Sequence, residues 1–212
     1  MTDKTLEDLR STRPLERLLE DSWKTRSRRI DRRELVVESL SSSLFLALAI
    51  PLALSAVATR DVEPLLAGAL MALYALSCLI KFPIGAGYVV PSYMVLVPML
   101  LLLPPGLVPA LTASTLVVAT LAQTLARKIE PERVFFAISD CWHTLGLAAV
   151  LVAAGPFGGS VRLSPLVYIG AFAAGCLVDL VAATVRESAI MGIGSRVQIR
   201  VIAVVWIVDA CI

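Results

Sequence analysis

Apolar positions in this chain fall in long unbroken runs rather than in alternation, and polar residues gather between the runs. Residues 39–59 carry no charge, and at 1.5 Å per residue they reach ~30 Å, the thickness of a hydrocarbon layer. This run predicts a first transmembrane helix, kinked at Pro51. The polar turn from Arg60 to Glu63 precedes a second, shorter span over 64–80, which ends at Lys81. Residues 82–126 contain no charge at all, room for two more spans, with Pro104, Pro105 and Gly106 as the break between them. A fifth span is predicted over about 134–154, a loop over 155–164 and a sixth span over about 165–185. A charged connector, 186–200, leads to a last apolar run, 201–212, which makes only ~18 Å of helix. The expected fold is all-α, a polytopic transmembrane helical bundle of six complete spans and a truncated seventh. The same pattern predicts that the sequence is an N-terminal fragment of a longer protein. Two regions follow: a charged segment, 1–38, and the bundle, 39–212.

Composition agrees, since 58% of residues are hydrophobic and 17% charged, against roughly 25% charged in an average soluble domain. The distribution of charge says more than its net value. Residues 1–38 hold ten Lys/Arg and nine Asp/Glu, too long and too acidic a start for a signal peptide. Lys24, Arg26, Arg28, Arg29, Arg32 and Arg33 precede the first span, and alternate connectors carry Lys81, then Arg127, Lys128 and Arg133, then Arg186, Arg196 and Arg200. The opposite set carries only Arg60 and Arg162. Because cytoplasmic loops concentrate Lys and Arg, the N-terminus is expected inside, in the inner (plasma) membrane. Leu15, Leu18, Leu19 and Trp23 recur at helical spacing after Pro14, which suits either an amphipathic helix on the inner lipid face or a solvated, charge-paired helix. Membrane lipids are thus the first expected partner. The basic cluster is explained by orientation, so no nucleic acid is expected.

Four ionisable residues interrupt the apolar runs: Asp140, His143, Asp179 and Asp209. A carboxylate at the bilayer centre costs roughly 2.5–3.5 kcal/mol on insertion scales, so each needs a reason. Asp140, Asp179 and Asp209 each lie seven to nine residues from a basic boundary at Arg133, Arg186 or Arg200, hence at a common depth of ~10–14 Å in the cytoplasmic half. His143 shares a helix face with Asp140. One reading is a polar pocket for a small molecule, a proton or a cation. The other is interhelical hydrogen bonding, or ion pairs with flanking Arg and Lys. The segment Phe82-Pro-Ile-Gly-Ala-Gly-Tyr-Val-Val-Pro-Ser-Tyr93 resists regular helix, and Gly85, Gly87 and Tyr88 join the candidate ligand-binding set. Its alternative is an interfacial loop anchored by Tyr88 and Tyr93. Cys78, Cys141, Cys176 and Cys211 sit in apolar runs without metal-type spacing and are expected to be small core residues. Ala171 and Gly175, with Gly170 beside them, predict close approach of the sixth span to an unspecified neighbour, in this chain or in a homodimer. No catalytic motif, cofactor loop or metal-ligand set is present, and no catalytic, metal or cofactor site is expected in this chain.

The segment 82–93, the following Val97-Pro-Met-Leu, the stretch Ser139-Asp-Cys-Trp-His143 and the terminal Val208-Asp-Ala resemble the N-terminal membrane region of actinobacterial signalling proteins. Those proteins couple a multi-span sensor to a cytoplasmic HD-GYP phosphohydrolase domain or, in related ones, a GGDEF diguanylate cyclase domain. The resemblance covers about residues 44–212 and rests on short apolar motifs. It implies an input module of a cyclic-di-GMP signalling protein whose catalytic domain lies beyond residue 212. The family's catalytic His-Asp pair and GYP motif have no counterpart in this chain, and its long charged N-terminal segment departs from the pattern. A small-molecule-binding membrane subunit of a transporter is the alternative, since discontinuous helices and membrane-embedded carboxylates also mark transport sites.

Overall fold

The computed structural model describes residues 31–59, 61–80, 82–84, 87–126, 132–155 and 164–191. Most of the charged N-terminal segment, Gly85, Asp209 and the last apolar run lie outside them. The described residues form seven α-helices and one short hairpin: α1 (Arg32–Thr59), α2 (Pro64–Leu79), β1 (Phe82–Ile84), β2 (Gly87–Val89), α3 (Tyr93–Leu102), a 3₁₀ turn (Pro105–Leu107), α4 (Val108–Leu125), α5 (Arg133–Ser139), α6 (Trp142–Ala153) and α7 (Pro165–Met191).

Four helical stretches are long and apolar enough to cross a membrane: Arg32–Thr59, Pro105–Leu125, Arg133–Ala153 and Pro165–Ile190. The expected first, fourth, fifth and sixth spans correspond to them. α2 and α3 are shorter, with 16 and 10 residues. α1 starts seven residues before the expected first span and remains helical through Pro51. Proline takes the first position of α2 and of α7, where its missing N–H costs nothing, and the Ser164 Oγ accepts the Leu166 N–H at the α7 start.

The segment expected to be extended or kinked forms the antiparallel hairpin, with Phe82 opposite Val89, Pro83 opposite Tyr88 and Ile84 opposite Gly87. Gly87 and Tyr88 thus lie on β2. Backbone groups that the helix pattern would leave unpaired bond across the ladder instead.

The helices are built inside out relative to a water-soluble bundle. The inward stripe of α1 is Glu38, Ser42, Phe45, Ala49 and Ala53, whereas Leu40, Leu44, Leu48 and Leu54 are exposed. Thr112, Thr115, Thr120, Ser139 and Thr144 are likewise buried, and Leu166, Ile169, Leu177, Val181 and Val185 of α7 are exposed. Small and hydroxyl-bearing interiors with large apolar exteriors suit a lipid solvent, which rewards helix contact through packing and hydrogen bonds rather than through expulsion of water.

Two apolar cores result. One gathers Leu70, Tyr74, Leu96, Met99, Leu103 and Leu147, and the other Phe45, Ala49, Ala113, Ile138, Cys141 and Leu145. Cys141 and Cys176 are buried and Cys78 half-buried, none of them in a disulfide. The neighbour of the Ala171/Gly175 pair is α6, in the most extensive helix contact among the described residues. A Cβ on Gly146 would stand 2.5 Å from the Ala174 carbonyl oxygen, and one on Gly175 would stand 3.1 Å from the His143 carbonyl oxygen. Only glycine permits this crossing. A Cβ on Gly170, by contrast, would meet nothing within 4 Å, so that residue is not part of the crossing.

The C-terminal parts of α1 and α6 meet the 3₁₀ turn at one end of the bundle. Leu52, Thr59, Pro105, Gly106, Leu151 and Gly155 line a cavity of about 350 Å³ there. None of the sequence-predicted site residues lines it.

Candidate functional site

At the other end of the bundle, the helix of the fifth span breaks at Asp140 and Cys141. The backbone tightens there: the Cys141 N–H bonds the Ile138 carbonyl at 3.0 Å and the Thr144 N–H bonds the Cys141 carbonyl at 2.9 Å, both three-residue steps. Side chains complete the break. Thr144 Oγ1 donates to the Cys141 carbonyl at 2.7 Å, and His143 Nδ1 lies 3.0 Å from the Asp140 carbonyl oxygen. A carbonyl oxygen only accepts, so in this bond the ring proton is on Nδ1 and Nε2 is an acceptor. That Nε2 is buried and without a hydrogen-bond partner among the described residues. The Tyr93 ring lies 5.6 Å from the His143 ring and 5.7 Å from that of Phe172, closing an aromatic wall between α3, α6 and α7.

The break turns the Asp140 carboxylate toward α7, where Arg186 meets it. Arg186 Nη1 is 3.3 Å and Nη2 3.4 Å from Asp140 Oδ1, and Nη1 is also 3.2 Å from Glu38 Oε2 on α1. One guanidinium therefore ties three elements together: the start of α1, the α5–α6 break and the end of α7. The two arms differ in surroundings, with side-chain exposures of 5% for Glu38, 16% for Arg186 and 65% for Asp140. Removing one partner of a buried pair costs about 3–5 kcal/mol, because it leaves an uncompensated buried charge. An exposed pair contributes about 0–1 kcal/mol. Glu38 is thus the anchor of the clasp and Asp140 its weaker arm.

Two carboxylates, Glu38 and Asp140, thus share one guanidinium. Asp179 stands two turns before Arg186 on α7. Hydroxyls seam α1 to this junction. Ser42 Oγ donates to the Phe135 carbonyl at 2.7 Å, Ser139 Oγ donates to the Glu38 carbonyl at 3.2 Å, and the Trp142 indole N–H donates to Ser41 Oγ at 2.9 Å.

Of the residues singled out from the sequence, Asp140 and His143 come together at the break, and Asp179 lies on α7 two turns before Arg186. Asp140 meets a flanking arginine, the ion-pair reading of its role. Two residues of the junction were not among them. Glu38 falls at the end of the charged N-terminal segment, and Arg186 reads as the first residue of a connector. Their signals are the four-residue step from Glu38 to Ser42, which extends the inward stripe of α1, and the seven-residue step from Asp179 to Arg186 on one face of α7. Among the described residues no three His, Cys, Asp or Glu side chains are grouped to hold a metal ion.

Lipid-length apolar helices around a small, hydroxyl-bearing and charged interior define the class of helical membrane proteins. Comparison with protein-family models, curated proteins and solved structures finds no match for the chain.

Proposed function

We propose that this chain is a membrane-embedded sensory and anchoring module that passes the state of its polar junction to an output domain through α7. The observation that carries the reading is the Glu38–Arg186–Asp140 clasp, because it joins the first and last described helices to a break in a membrane-length helix. A ligand can move such a bundle only by binding two of its arrangements unequally. Carboxylates and an unpartnered histidine nitrogen beside that break are groups able to make the difference. In this reading α1, α2, α3, α4, α5 with α6, and α7 make six passes through the plasma membrane, with the clasp at the cytoplasmic side. The resemblance of segments 82–93 and 139–143 to sensors of HD-GYP and GGDEF proteins favours a cyclic-di-GMP enzyme as the output.

Reporter fusions test the orientation: one at Asp31 is expected to be active only as a cytoplasmic reporter, and one at Gly155 only as an external one. The reverse pattern overturns the topology. For the sensory role, Asp140→Asn and Asp179→Asn in the full-length protein are each expected to change cellular cyclic-di-GMP about fivefold or more, at unchanged membrane levels. Unchanged output from both would reduce the junction to packing.

The helix break with its carboxylates also suits a transport subunit. The reading frame after Ile212 separates the two: a soluble domain with paired His-Asp metal ligands favours signalling, and further apolar spans followed by a stop favour transport.

A further inference from the structure

Arg186 holds its two carboxylates unequally and leaves part of itself unused. Both of its Nη groups reach Asp140 Oδ1, yet only Nη1 reaches Glu38 Oε2, and its buried Nε–H has no acceptor among the described residues. A guanidinium satisfies a carboxylate best edge-on, with two parallel N–H groups on two oxygens. The shared pose denies that to both partners. A pose turned wholly onto Glu38 would set two N–H groups against its two carboxylate oxygens.

We propose that Arg186 is a two-position arm. It is shared between Glu38 and Asp140 when the junction is closed, and gripped by Glu38 alone when Asp140 is engaged by another cationic N–H donor. The asymmetry of burial decides which contact yields, since Glu38 is enclosed and Asp140 is open to an incoming group. α7 then stays attached to α1 and parts from the α5–α6 break, so that α1 and α7 move as a pair against the rest of the bundle. The glycine crossing of α6 on α7 sits on the outer side of the junction, next to His143, and gives this movement its pivot. The inference deepens the sensory reading and rests on it: the arm converts occupancy at Asp140 into displacement of the end of α7.

The test uses the full chain in lipid nanodiscs, with non-canonical spin labels at the exposed positions Leu40 on α1, Phe135 on α5 and Val185 on α7. Pulsed dipolar spectroscopy then reads the 40–185 and 135–185 distances. Asp140→Asn is expected to keep the first within its wild-type distribution and to shift the mean of the second by about 2 Å, the scale of helix movements at switching interfaces. Arg186→Lys, whose single ammonium cannot span two carboxylates, is expected to do the same, and it decides the question if Asp140→Asn does not insert. Glu38→Gln is expected to do the opposite and widen the 40–185 distance. An unchanged 135–185 distance in Asp140→Asn and Arg186→Lys, or an equal shift of both distances, overturns the arm. Distances that move as stated while Asp140→Asn and Asp179→Asn both leave cellular output unchanged sink the sensory reading and leave the arm standing.

Discussion

Arg186→Gln is expected to lower the stability of the solubilised protein more than removal of any other single charge among the described residues, by about 3–5 kcal/mol. Glu38 is the reason. Its side chain is 5% exposed, and the arginine is the one cation that reaches it among the described side chains. Glutamine is shorter than arginine and carries no charge, so the glutamate is left enclosed and uncompensated. Asp140→Asn, on the exposed arm, is expected to cost no more than about 1 kcal/mol. The double variant Glu38→Gln with Arg186→Gln removes both charges and is expected to recover most of the loss, because a neutral pair needs no counter-charge. Thermal unfolding followed by tryptophan fluorescence in one detergent ranks the four proteins. An Arg186→Gln variant as stable as the wild type, with membrane levels unchanged, would falsify the view that the buried pair holds α1 to α7.

A comparable loss is expected from a far smaller change at the helix crossing. Gly146→Ala adds one carbon, which would lie 2.5 Å from the Ala174 carbonyl oxygen, 2.8 Å from its carbon and 2.9 Å from the Gly175 Cα. All three are backbone atoms, so no side chain can swing aside and the helices themselves must separate. Overpacking of this kind costs about 1–3 kcal/mol, and the rigid surroundings place Gly146→Ala at the upper end. Gly175→Ala is milder, since its nearest obstacle is the flexible Leu147 side chain, although the His143 carbonyl oxygen stands only 3.1 Å away. Gly68→Ala and Gly170→Ala meet nothing within 4 Å and are expected to be neutral or stabilising by about 0.5–1 kcal/mol, the helix preference for alanine. Melting temperatures in the order Gly170→Ala, Gly175→Ala, Gly146→Ala, highest first, support the crossing. An equal effect at Gly146 and Gly170 removes its basis. The consequence for the junction is direct, because His143 lies one turn before Gly146 on α6. Pushing α7 away there shifts the ring that caps the Asp140 carbonyl.

The two variants separate energy from position. Arg186→Gln removes a charge at the end of α7 while leaving the crossing intact, and Gly146→Ala spreads the crossing while leaving every charge in place. A sensor that works through α7 is therefore expected to lose its response in both, and a junction that only packs is expected to lose stability in both without a change of output per folded molecule.

Run lengths and punctuation were legible along the chain. Apolar stretches of about 20 residues became membrane-length helices, and the Pro104-Pro105-Gly106 break became the start of the 3₁₀ turn Pro105–Leu107 between α3 and α4. These features are local: whether a segment prefers lipid, and where its backbone cannot stay helical, depends on the residues of that segment alone. Asp140, His143 and Asp179 stood out because a charge among apolar residues is costly wherever the helix packs.

Partners were a different matter, and the tertiary structure alone decided them. Nothing in the order of residues says that Glu38 and Arg186, 148 positions apart, meet on one guanidinium, or that Gly175 packs on α6 rather than on a second subunit. Nor does periodicity reveal that the fifth span breaks at Asp140, since its residues read as continuous helix until Arg186 and the His143 ring are there to hold the break. Lipid accepts an apolar helix in any rotation about its axis, so hydropathy sets how deep each helix lies but not which face it turns to which neighbour. Small residues, hydroxyls and one shared arginine make that choice here, and they act only once the helices are side by side.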